Sequence, residues 1–206
     1  MTTLLESLRP CDTLNTVYHW DGHIGRAIVC RSIQGFQYIT PPNGFWKSTH
    51  TRIFFSPDKI YEVTFPKSQF TTLEAIQGEE LRLNRHATHR FLPEHIDYML
   101  GLAKDLEGEE YDVPELLNHL LSLVYPKFAL SSADSLLSRH FVCSSGVRVL
   151  FESLRKKMLE PQGIDSMKRL FTYDGKDTLI ERTKPEHFDY PYDFTYHGTF
   201  KNGVKV

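Results

Sequence analysis

Ser48-Thr49-His50-Thr51-Arg52-Ile53-Phe54-Phe55-Ser56-Pro57-Asp58-Lys59-Ile60-Tyr61-Glu62-Val63-Thr64 contains two β-forming runs joined by a short Pro-Asp loop. β-Branched and aromatic side chains fill 51–55 and 59–64. The Ser-Pro-Asp between them supplies the fixed φ and local hydrogen bonding of a turn, so the stretch predicts an antiparallel hairpin. If the loop is Ser56 to Asp58, Arg52 faces Glu62, and His50 is the diagonal neighbour of Glu62 on the same sheet face. A slip of one residue would send them to opposite faces. Glu62 is out of place by composition, a carboxylate between Tyr61 and Val63 in an otherwise β-forming run. An imidazole beside a carboxylate is what a general base requires, because the acceptor fixes its tautomer and orientation. The plain alternative is a histidine and a glutamate that both face solvent.

Upstream of the hairpin, 24–30 and 35–39 also read as strands, and Pro41-Pro42-Asn43-Gly44 interrupts the β pattern after them. Downstream the chain turns helical. Pro93 suits a first helical position, with Ile96, Leu100, Ala103 and Leu106 at helical spacing until Gly108. A second helix is expected from Val113 to Val124, ended by Pro126. A third begins near Cys143 and carries Val147, Leu150, Phe151, Leu154 and Met158 before Pro161. The tail, 161–206, reads as an extension with a short strand (169–173) and an aromatic segment (187–196). Strands first and helices later predict an α+β fold, a small antiparallel sheet packed against helices. The 206 residues fit one domain, with its core at about 8–160.

Phe141-Val142-Cys143-Ser144-Ser145-Gly146-Val147 brings a cysteine to the start of the third helix. There, unpaired amides and the positive end of the helix dipole stabilise a thiolate, and the same amides can hold an oxyanion. A buried cysteine acting only as a small hydrophobe is the competing account. His140 is a rival base, ranked below His50 because it would have to fold back from the approach to the helix. Ser144 and Ser145 lack the GxSxG elbow of a serine nucleophile. Among ten histidines there is no HExxH, and His86 with His89 sits in a polar run without ligands at matching spacing, so neither metal nor cofactor is expected.

Taken together these segments resemble the circularly permuted branch of the NlpC-type papain-like cysteine amidases and peptidases. Leu8-Arg9-Pro10-Cys11-Asp12-Thr13-Leu14 is similar to their leucine-x-x-glycine-aspartate-x-leucine opening. The 48–53 and 59–63 stretches resemble their histidine and glutamate strands. Gly108-Glu109-Glu110-Tyr111-Asp112 resembles the glycine-x-x-tyrosine-aspartate that opens a helix, and Phe141-Val142-Cys143-Ser144 their nucleophile segment. The likeness covers about 8–159, with histidine first and cysteine last. It departs at Cys11, where the family has glycine, and at Ser145, where an acidic residue is common. The resemblance implies a permuted papain-like fold with Cys143 as nucleophile, His50 as base, Glu62 as orienting carboxylate and Tyr111 as a contributor to the pocket or oxyanion site. It implies a thiol hydrolase or acyltransferase acting on peptidoglycan peptides or lipid-linked acyl groups, with no cofactor.

Charge and cysteine usage bound the alternatives. Lys and Arg number 24 against 26 Asp and Glu, a net charge of −2 that calls for no nucleic-acid partner. Three unclustered cysteines suggest neither a disulfide framework nor a zinc knuckle, and no stretch approaches transmembrane length. No leader is expected, so synthesis in the cytoplasm is. Two rivals stay open: a non-catalytic structural or binding module, such as a phage virion or tail component with assembly partners on the aromatic tail, and a cytoplasmic deacylase.

Overall fold

The computed structural model describes residues 2–17, 48–111, 143–164, 172–173, 176–177, 188 and 194–206. A helical turn, α1 (Leu4–Ser7), is closed by a capping box in which Thr3 and Glu6 satisfy each other's backbone amides, and it leads to β1 (Thr13–Val17). The hairpin comes next as β2 (Ser48–Ser56) and β3 (Lys59–Val63), with Arg52 opposite Glu62 as expected. Its turn differs from the expected one. Only Pro57 and Asp58 form it, and Phe55 is the extra residue of a bulge between the Phe54–Ile60 and Ser56–Lys59 pairs. Two turn residues plus one bulged residue take up as much chain as a three-residue loop, so the same register results.

Beyond the hairpin lie β4 (Ser68–Thr71), a turn of helix α2 (Leu73–Ile76) capped by Thr72, and β5 (Glu80–His86). Helix α3 (Pro93–Asp105) starts with proline in its first turn, and the chain leaves it through Gly108 at φ 89°. Its fully buried stripe is His95, Met99 and Ala103, while Ile96, Leu100 and Leu106 pack on the flank of the core. Helix α4 (Cys143–Leu154) runs on through a wider π-helical turn (Arg155–Leu159) and a 3-10 turn (Glu160–Gln162). Pro161 lacks an amide hydrogen, and Gly163 at φ 70° closes the end.

Seven strands form one antiparallel sheet in the order β4-β3-β2-β1-β5-β8-β9, where β8 is Phe194–Lys201 and β9 is Val204–Lys205. The short strands β6 (Thr172–Tyr173) and β7 (Lys176–Asp177) pair separately. The fold is α+β, with a larger sheet than expected because the end of the chain joins it. Phe194–Lys201 is no appendage: it lies beside β5 as an inner strand.

Both faces of the sheet are covered. On one, Ile53, Phe55, Tyr61 and Val63 meet Met99 and Ala103 of α3 and Val147, Leu150, Phe151 and Leu154 of α4. On the other, Phe54, Ile60, Leu14, Leu81, Leu83 and Phe200 meet Leu4 of α1 and Ile76 of α2. This is why Ile53-Phe54-Phe55 is apolar without alternation: successive side chains enter different cores. Each such side chain, fully buried, contributes ~2 kcal/mol of transfer free energy. Among the described residues no helix is long and apolar enough to cross a membrane. The strands expected at 24–30 and 35–39, the helix at 113–124 and His140 lie outside the described residues.

Candidate active site

Helix α4 packs on β2 and β3, and its first residue, Cys143, is brought to His50 near the start of β2. His50 and Glu62 are held by the hairpin register itself. His50 Nε2 lies 3.0 Å from Glu62 Oε2. With Nε2–H donated to that carboxylate, Nδ1 is the ring nitrogen left to take a thiol proton. Both side chains are withdrawn from solvent, His50 at 18% exposure and Glu62 at 7%.

The electrostatics favour a charged pair. Burial and the Arg52 cation disfavour the His50 imidazolium, but hydrogen bonds to Cys143 and Glu62 and the thiolate charge outweigh them, and its pKa is pushed up to about 9. Burial alone would raise the Cys143 thiol. The hydrogen bond and charge of His50, helped by the backbone amides of Thr51 and Ser144, carry it below its ordinary value instead. Glu62 follows the same pattern: burial would raise it, and His50, Arg52 and Gln69 hold it well below the usual carboxylate range. The arrangement therefore favours a thiolate beside an imidazolium over the neutral pair, relative to the free groups.

Cys11 provides the internal contrast. It is buried against Met99, and burial, with the Asp12 charge next to it, drives its thiol far up. Its backbone sits at φ 69°, the left-handed region that a glycine adopts at no steric cost. Asp12 is structural: it accepts the Arg9 amide at 2.8 Å and a two-pronged Arg85 guanidinium at 2.7 Å on each oxygen.

Tyr111 is anchored through its backbone. Its amide donates to Pro66 O at 2.9 Å, and its half-buried ring packs on the core that contains Val147 and Phe151. Ser144 and Ser145 are buried in the first turn of α4. His86, His89 and His95 cluster between β5 and the start of α3, yet among the described residues no three His, Cys, Asp or Glu are placed to hold a metal.

Three partners of Glu62 and Arg52 escaped the sequence reading. Gln69 of β4, opposite Glu62 in register, donates to its Oε1 at 2.9 Å. Arg52 donates through Nε to Oε2 at 2.6 Å and grips Glu79 with both terminal nitrogens, at 2.9 and 3.1 Å. Thr16 of β1 closes this group by donating to Glu79 at 2.7 Å. Arg52 carried a signal, a cation amid an apolar strand two residues from His50, whereas Glu79 and Thr16 are joined to it only by the sheet order. No known family and no curated protein matches this chain.

Proposed function

We propose that the chain is a thiol hydrolase or acyltransferase with a permuted papain-like, NlpC-type site, in which Cys143 is the nucleophile, His50 the base and Glu62 the carboxylate that orients it. The observation that carries this reading is the 3.0 Å contact between His50 Nε2 and Glu62 Oε2, with Cys143, at the start of α4, bonded to the same imidazole. The imidazole keeps the thiol proton on Nδ1, and the sulfur attacks an amide or ester carbonyl. A C–S bond forms, and the negative charge moves to the carbonyl oxygen, which amides of the first turn of α4 receive. Collapse expels the amine or alcohol, which leaves with the proton from His50. Water, or an acceptor amine, then gives its proton to His50, adds to the thioester and frees Cys143. Tyr111 belongs to this proposal as a wall of the pocket. The substrate classes are cell-wall peptide amides and lipid-linked acyl groups, both of which present a carbonyl to the same nucleophile.

Incubation with p-nitrophenyl acetate, followed by intact-mass and peptide mass spectrometry, tests the reading. One acetyl group on Cys143 is expected, absent in Cys143→Ala and formed at least ~100-fold more slowly in His50→Ala. Acetylation that persists in Cys143→Ala, or an unmodified Cys143 in the wild type, contradicts it. In the second case a binding module on the same fold becomes the better account.

A further inference from the structure

Glu62 is shared between two cations. His50 Nε2 and Arg52 Nε approach the same oxygen, Oε2, at 3.0 and 2.6 Å, while Gln69 occupies Oε1 at 2.9 Å. Donors from β2 and β4 therefore fix the plane of a carboxylate carried by β3, and turning that plane by about 90° would weaken all three bonds. Arg52 is itself fixed. Glu79, just before β5, takes both terminal nitrogens, and Thr16 of β1 bonds to both Arg52 and Glu79. Arg52 is buried, at 8% exposure, and Glu79 reaches the surface, at 35%.

A buried guanidinium beside a base has a cost, because it repels the protonated imidazole and competes with it for Glu62. Glu79 offsets part of that conflict by taking both terminal nitrogens of Arg52. The row Cys143, His50, Glu62, Arg52, Glu79 alternates in sign once the thiolate–imidazolium pair forms, so each charge has an opposite neighbour. We propose that Arg52 and Glu79 are positioning residues of this site: Arg52 holds Glu62 Oε2 toward His50, and Glu79 compensates Arg52 so that Glu62 remains available to the imidazole. The inference rests on the reading of Cys143 and His50 as a reactive pair, and it adds two residues that a cysteine–histidine–carboxylate triad does not contain.

NMR of the His50 ring, in the full chain, tests it without reference to turnover. In Glu79→Gln the local potential becomes more positive, and the His50 midpoint should fall by on the order of half a unit to one unit. Glu79→Asp should restore it. Arg52→Lys keeps the charge but loses the fork, and the His50 Nε2–H resonance should broaden through faster exchange with water. A group that merely ties β1 and β2 to the chain before β5 would lower the unfolding temperature in these variants and leave the His50 midpoint and Nε2–H resonance unchanged. That outcome overturns the proposal. Were His50 to shift as stated while Cys143 never acylates, the positioning role would stand and the chemistry assigned to Cys143 would fall.

Discussion

Cys11 and Cys143 are the same side chain in opposite settings, and the difference lies in what surrounds the sulfur. Cys11 has a thioether neighbour and an adjacent carboxylate, while Cys143 has an imidazolium and amides. Cys11 also carries backbone strain at φ 69°. Replacing it with glycine relieves ~1–2 kcal/mol of left-handed strain, against ~1 kcal/mol of lost burial and the higher entropy of unfolded glycine. Cys11→Gly is therefore expected to change urea-unfolding stability by less than ~1 kcal/mol. Cys11→Val, whose branched side chain resists positive φ, should cost at least ~2 kcal/mol. A neutral valine variant would show that the turn relaxes. At this scale the sequence was informative where a residue conflicted with its context: Glu62 in an apolar strand, a cysteine opening an amphipathic helix. It was silent where a residue of ordinary type acts through distant partners, as with Gln69 and Glu79.

Among the elements, those with a helical period or a turn between β-forming runs were legible, and a strand with a broken period was not. Helices α3 and α4 follow from helical spacing and their flanking prolines, and the hairpin from two β-forming runs around a Pro-Asp turn. Strand β8 did not, because His197 is bulged between the Asn84–Tyr196 and Leu83–Gly198 pairs. The bulge reverses the phase of the strand, so Phe194 enters the core beneath α3 and α4 while Phe200 enters the opposite one. No period of two survives across it. Phe194 also meets His86, whose ring stands among Phe91, Phe194 and His89 and whose Nδ1 accepts the His89 amide at 2.9 Å. Burial, then the nearby His89 charge, lowers the His86 pKa from 6.5 to about 4. The folded chain keeps this ring neutral while the unfolded chain protonates it, so stability is lost as pH falls from 6.5 toward 4. The His86 share of the loss should reach on the order of 3 kcal/mol by about pH 4; His89, also lowered to about 4 by burial and the nearby His95, adds its own, so His86→Phe should remove one histidine's share and leave the other. Urea midpoints at about pH 7 and about pH 4.5 measure it, and an equal acid loss in His86→Phe would place the sensitivity elsewhere.

At the scale of the whole molecule, the site exists because the sheet places β2 and β3 under α4, joining a histidine early in the chain to a cysteine far along it. Sequence order alone, histidine before cysteine, suggested this meeting through a resemblance built of short motifs. The Arg52–Glu79–Thr16 group required the neighbours β2, β1 and β5 to be known, and no local pattern encodes that order. The same holds for β8, whose partner β5 lies more than half a chain away.

The thiolate–imidazolium pair is the central claim, and alkylation tests it most directly. The rate of iodoacetamide reaction at each cysteine would be followed by mass spectrometry between about pH 5 and 9, in the wild type and in His50→Ala. The lowered thiol and the raised His50 predict that Cys143 reacts well below the ordinary thiol value of ~8.5, that Cys11 stays inert, and that His50→Ala moves the Cys143 profile upward. An unreactive Cys143, or a profile that His50→Ala leaves unchanged, would contradict the pair and the enzyme built on it.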